Sequence, residues 1–137
     1  MFSHSSSRTK PSLRQVEFFY FMSQLRCAHI LCKHKDSRNP VSRRTGQAVT
    51  ISKEQAIAEI QDIIKRLKQA PKLDSVFKEI ASSRSDCSSC AKGGDLGFFG
   101  RGQMQKAFEE ASFALGVGEI SGLVDSDSGI HVVFRIV

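Results

Sequence analysis

Five glycines within ten residues, Gly93, Gly94, Gly97, Gly100 and Gly102, limit what this chain can fold into more than any other feature. Backbone so rich in glycine loses too much freedom to be ordered as a helix. Residues 93–102 can therefore supply only a short extended piece, around 96–99, between turns. A small polar loop with two thiols, Cys87 and Cys90, precedes this segment, and Met104 and Phe108 follow it at helical spacing. The stretch 85–108 thus reads as a site assembled on turns beside an apolar wall.

The flanking sequence is more regular. Residues 25–32 form an apolar cluster bounded by charges and read as a strand, with Cys27, His29 and Leu31 on one face and Ala28, Ile30 and Cys32 on the other. Residues 33–49 mix Lys, Arg, Asn-Pro, Gly and Ser without periodicity, which predicts a long exposed loop. Ser52 and Gln55 make a capping-box pattern. Ala56, Ile60, Ile63, Ile64 and Leu67 then recur at helical spacing until Lys65, Arg66 and Lys68 suit the negative helix end. Pro71 closes that helix, and Asp74 is placed to cap a second one running through Phe77, Ile80 and Ala81. A further helix is predicted over 103–115, stopped by Gly116 and Gly118. Strands over 120–124 and 130–137 flank the turn signal Asp127-Ser128-Gly129. The order predicts an α+β domain: a small, four-stranded, mostly antiparallel sheet with three to four helices.

Composition narrows the classes of function. At 137 residues and 40% hydrophobic content the chain is one domain with a modest core. Its +6 charge is uneven, since residues 1–44 carry nine Lys or Arg against two acids while the remainder is nearly neutral. An anionic partner is expected for the front of the chain. Four cysteines at irregular spacing do not make a secreted disulfide framework, and no stretch approaches the roughly 20 apolar residues of a membrane span. The expected setting is the cytoplasm or nucleus. Residues 1–24 read as a disordered tail before a domain over 25–137. The first fifteen residues, Ser-rich with Arg8, Lys10 and Arg14 and no acid, share a composition with mitochondrial presequences as well.

Taken singly, the chemical candidates are ambiguous. Cys27, Cys32, Cys87 and Cys90 have the count of a zinc site, but residues five apart on a strand face opposite ways. A redox Cys87/Cys90 couple is disfavoured because the pair lacks the strand-to-helix setting that depresses one thiol pKa. A thiol with His29 and His131 available satisfies the nucleophile-plus-base rule for a Cys-His hydrolase or transferase, yet no oxyanion-hole signature accompanies it. A histidine on an apolar strand is ordinarily a core residue. The basic residues of 33–44 ordinarily make a solvated face.

Five motifs together resemble the parvulin family of peptidyl-prolyl cis-trans isomerases, in particular its phosphorylation-directed branch. They are Arg-Cys-Ala-His-Ile-Leu at 26–31, Ser-Asp-Cys-Ser-Ser at 85–89, Gly-Asp-Leu-Gly at 94–97, Arg-Gly-Gln-Met-Gln-Lys at 101–106 and Asp-Ser-Gly-Ile-His at 127–131. The resemblance implies isomerisation of Ser/Thr-Pro bonds, phosphorylated ones in particular, and because no bond has to break, non-covalent stabilisation of the twisted amide is the expected mechanism. It implies that His29 and His131 form a buried imidazole pair, that Cys87 faces the target amide and that Ser128 is hydrogen-bonded near the pair. Leu96, Met104 and Phe108 would hold the proline ring, with Gln105 at the rim. Lys33 and Arg38 would hold the phosphate. Relatives often have two adjacent Arg where this chain has Arg38-Asn39, so Arg43 or Arg44 is expected to supply the missing charge. Relatives with an attached WW module carry two Trp in it, and this chain has no Trp, which resembles the stand-alone form. The implied enzyme is a monomer that needs no metal, cofactor, nucleic acid or membrane, and its partners are proline-containing proteins. The alternative is a non-catalytic phosphopeptide-binding module of the same fold.

Overall fold

The computed structural model describes residues 12–15 and 23–137. Most of the expected N-terminal tail lies outside the described residues. From residue 25 the elements follow as β1 (Leu25–Cys32), α1 (Lys53–Lys68), α2 (Leu73–Arg84), a 3-10 turn (Ser88–Lys92), β2 (Asp95–Phe99), α3 (Lys106–Phe113), β3 (Val124–Ser126) and β4 (Gly129–Arg135). The four strands form one sheet in the order β2-β1-β4-β3, antiparallel at every pairing.

The period of two in β1 divides the core between the sheet's faces. Ala28, Ile30 and Cys32 join Ile130 and Val132 beneath Ile60, Ile63, Leu67, Phe77 and Ile80 of α1 and α2. Leu25, Cys27 and Val133 turn the other way, toward Phe99, Val124 and Phe108 of α3. His29 and His131 fall on this second face by the same alternation. In the β1–β4 ladder His29 lies opposite Val133, and His131 lies opposite Leu31. The two histidines are therefore diagonal neighbours, within reach of one another for rings.

Helix α1 starts with the capping box expected of Ser52 and Gln55, both reciprocal bonds being present. Three expectations are corrected. The N-cap of α2 is Lys72, without a side-chain cap bond, and Asp74 lies inside the first turn, where its charge opposes the helix dipole. Helix α3 is eight residues long and begins at Lys106, so Met104 precedes it. Of the strand expected at 120–124, Ile120 makes only an isolated bridge to Phe134 and β3 begins at Val124. The 33–49 segment is a loop, but Lys33, His34, Ser37 and Ser42 are buried within it. Those buried residues anchor a loop whose charged tips remain outside.

Candidate active site

Strands β1 and β4 are the two central strands, and each delivers one imidazole to the same face. His29 Nδ1 and His131 Nδ1 are 2.9 Å apart, so one ring donates and the other accepts. His131 Nε2 lies 2.6 Å from Ser126 Oγ, which also accepts the Ser128 backbone N–H at 3.2 Å. If the Ser126 hydroxyl donates to His131, then His131 donates to His29, and His29 presents Nε2–H on its outer side. The opposite polarity would leave the Ser126 hydroxyl without an acceptor in the chain. Burial, and to a lesser degree the nearby His29, push the His131 pKa well below the usual 6.5, so this ring is neutral. Phe108 packs edge-on against both imidazoles, at 5.5 and 5.3 Å between ring centroids.

Cys87 stands beside His29 in the loop that follows α2. Burial alone would raise its pKa, but the adjacent His29 and then Ser89, as polar neighbours, outweigh that and bring it down to about 6. The thiol is mostly thiolate at neutral pH. Among the described residues, the only buried side-chain polar atoms without a hydrogen-bond partner are His29 Nε2 and Ser89 Oγ, and both belong to groups that act on this sulfur. Neither meets hydrogen-bond geometry to Cys87, yet both act on it through their dipoles. Two such orphans around one thiol mark a site, since buried polar groups are otherwise almost always paired.

Two hollows open on either side of Cys87. One, about 360 Å³, has an apolar wall of Leu96, Met104 and Phe108, and its polar rim includes Gln105, Ser126 and Ser128. The second, about 310 Å³, is lined by Lys33, Arg38 and Arg43. The two share Leu31, Arg38, Cys87 and Ser128. Lys33 is itself buried, and its ammonium donates to the carbonyls of Asn39 at 2.9 Å and Val41 at 2.7 Å, which leaves one N–H for a ligand. Burial and then the neighbouring Arg43 lower its pKa. Arg38 contacts Ser128 Oγ at 3.5 Å, and Gln105 Nε2 donates to the same oxygen at 2.8 Å while Gln105 Oε1 accepts the Asp127 N–H at 2.9 Å. Gln105 thereby ties the β3–β4 turn to the start of α3.

The positions of these groups converge on Asp86. Its buried carboxylate accepts the Lys33 backbone N–H at 2.9 Å, the Ser42 hydroxyl at 2.7 Å and an Arg84 N–H at 3.1 Å. Its backbone joins Leu31 and Arg43 at 2.8 and 2.9 Å. The end of β1, the basic loop and the cysteine loop are thus pinned to one residue. Gly94 supplies the other fixed point: its φ is +88°, its carbonyl accepts the His29 N–H at 3.0 Å, and a Cβ there would lie 2.5 Å from the His29 oxygen. Only glycine lets the segment lie this close against β1.

All the residues expected at the site border these hollows except Arg44, which lines neither. One expectation changes in detail: the serine bonded to the imidazole pair is Ser126, and Ser128 bonds Gln105 instead. Asp86 and Ser126 were not evident from sequence, although Asp86 lies next to the key cysteine. The four-cysteine arrangement does not form, because Cys27 and Cys32 are buried in different cores on opposite faces. Cys87 lacks the strand-to-helix setting that usually depresses a thiol pKa, and His29, a residue distant in sequence, lowers it instead.

Comparison with known proteins shows the family to which the chain belongs. Residues 29–136 match the Rotamase family, the PPIC-type PPIASE domain. The chain is 53% identical over 117 residues to the peptidyl-prolyl cis-trans isomerase NIMA-interacting 1 of Theileria annulata, covering 85% of this chain and 82% of that protein. It is 47% identical to the peptidyl-prolyl cis-trans isomerase Pin1 of Digitalis lanata, over 82% of this chain and 95% of that one. Among solved structures it resembles the peptidyl-prolyl isomerase ESS1 from Candida albicans, with a TM-score of 0.77 at 31% identity over 94% of this chain and 79% of the other. It also resembles the solution structure of TbPIN1, with a TM-score of 0.75 at 48% identity over 84% and 98%. A sheet that pairs two imidazoles beneath a thiol, opening on an apolar hollow, and relatives at about half identity place this chain in the PPIC-type, or parvulin, family of peptidyl-prolyl cis-trans isomerases.

Proposed function

We propose that this isomerase prefers Ser/Thr-Pro bonds whose Ser or Thr is phosphorylated, and that it acts without covalent attack. The observation that carries the reading is the shared wall of the two hollows: a cationic cup and an apolar cup meet at Arg38, Cys87 and Ser128. Adjacent residues of one peptide, a phosphorylated side chain and the proline ring after it, fit that juxtaposition. Arg38, Arg43 and the free N–H of Lys33 would bind the phosphate by charge-assisted hydrogen bonds. Leu96, Met104 and Phe108 would hold the ring.

The chemistry asked of the site is limited. Rotation about X-Pro is opposed by a barrier of roughly 18–20 kcal/mol because amide resonance keeps the bond planar. No bond has to break, so a site that favours the twisted amide over both planar forms suffices. As the amide twists, the nitrogen lone pair withdraws from the carbonyl and the oxygen loses negative charge. A thiolate at Cys87 and apolar walls both disfavour the more polar planar form, and their cost falls at the top of the barrier. His29, held by His131 and Ser126, fixes the sulfur's charge state. That arrangement makes Cys87, His29 and His131 the catalytic group, with Ser126 and Ser128 as positioning residues.

Paired peptides, phosphorylated and plain, test the preference. Arg38→Ala with Arg43→Ala removes charge while sparing the loop-holding Lys33. Charge-assisted hydrogen bonds are worth roughly 1.5–3 kcal/mol, so kcat/KM for the phosphopeptide should fall about tenfold or more, with the plain peptide nearly unaffected. Phe108→Ala should impair both. Equal losses on both peptides in the double variant would reassign the basic loop to a structural role.

A further inference from the structure

Cys90 has no part in the mechanism above, yet it stands three residues after Cys87 in the same turn. The Cys90 backbone N–H bonds the Cys87 carbonyl at 3.0 Å. A turn closed by such a bond brings its first and fourth Cα atoms within about 7 Å, the range a disulfide spans. Both thiols are partly exposed, whereas Cys27 and Cys32 are fully buried and burial raises the pKa of each, that of Cys32 to about 12. Of the four thiols, only this pair is accessible to a dissolved oxidant.

We propose that Cys87 and Cys90 form an oxidation site at which hydrogen peroxide converts the two thiols into an intrachain disulfide that reversibly takes the Cys87 thiolate away from the proline hollow. The Cys87 thiolate attacks the nearer peroxide oxygen, the O–O bond breaks, and hydroxide leaves, giving a sulfenic acid at Cys87. Cys90 sulfur then attacks Cys87 sulfur, and the S–OH bond breaks. The departing hydroxide takes the Cys90 proton and leaves as water. Two thiols are oxidised by two electrons and one peroxide is reduced to two waters. Cys90 is the resolving thiol, and it protects Cys87 from the irreversible sulfinic acid. The depressed pKa of Cys87 favours it as the attacking sulfur. Loss of activity on oxidation rests on the role given to Cys87 in catalysis, whereas the disulfide itself does not.

The test treats the full chain with equimolar hydrogen peroxide and follows intact mass, free thiols and isomerase activity. The expected result is a loss of about 2 Da, two remaining thiols and an activity loss of about tenfold or more, all reversed by dithiothreitol. Cys90→Ser and Cys90→Ala should start with full activity, form a dimedone-reactive adduct, then gain about 32 Da and stay inactive after reductant. The proposal is overturned if the wild-type chain gains about 32 Da at Cys87 as fast as Cys90→Ser, or if the disulfide formed joins two chains. A disulfide that forms with activity intact supports the oxidation site and refutes the catalytic role of Cys87.

Discussion

The sulfur of Cys87 is where burial and polarity oppose each other most directly, and the imidazole beside it decides the outcome. Two measurements follow from that balance. Cys87→Ala should lower kcat by about a hundredfold, the scale of losing one electrostatic contributor at a reacting centre, and Cys87→Asp by clearly less, because a carboxylate keeps the negative charge without thiol nucleophilicity. Asp as inactive as Ala would end the electrostatic account. Iodoacetamide should alkylate Cys87 with a rate that rises through a midpoint near pH 6. His29→Asn should move that midpoint upward, since His29 is the largest influence lowering it. His29, Cys87 and His131 were each legible as chemistry-bearing types on strands or turns, and their meeting was legible only through the resemblance. Ser126 was not: two serines flank one turn, and which of them reaches an imidazole depends on backbone direction that spacing does not encode. Asp86 was hidden for a different reason, because its partners come from three separate segments.

Helix α1 was readable nearly to the residue, since its capping box, apolar period and basic last turn all act within the helix. The helix after the glycines was read too long. Gln105 spends its side chain on Ser128 and Asp127, so the chain there is held in an extended conformation and the helix starts one residue later. Strand β2 depends on a contact as local as a single missing Cβ. Gly94→Ala would set a methyl against the His29 carbonyl at a φ that alanine tolerates poorly, so it should destabilise the fold by about 2 kcal/mol or more and lower activity in parallel. Urea melts with isomerase assays on the same samples check both. Asp86→Ala should cost about 3 kcal/mol, because it leaves the Lys33 N–H and the Ser42 hydroxyl without their acceptor and removes one of the two carboxylates that hold Arg84.

At the scale of the molecule, His131 links the site to acid stability. Its pKa is depressed in the folded state, so below about pH 6.5 the unfolded chain binds the proton that the folded chain refuses. The contribution is whole above that pH and is lost below it, at up to about 1.4 kcal/mol per pH unit. Urea midpoints for the wild type should fall between pH 6.5 and 5 more steeply than for His131→Asn. The order of elements and the sheet were legible because alternation and turn signals survive without tertiary context, whereas the division of β1 between two cores needed its partners. That division also sets the order in which the molecule opens. The imidazoles hang from the two central strands, each covered on both faces, while the basic loop runs out beyond the end of β1 and the glycine segment leads into edge strand β2. Amide hydrogens of His29, Ile30 and Val132 should therefore exchange with deuterium last, and those of residues 41–48 first. A molecule caught in such a partial opening keeps the imidazole pair of its catalytic centre after it has let go of its client.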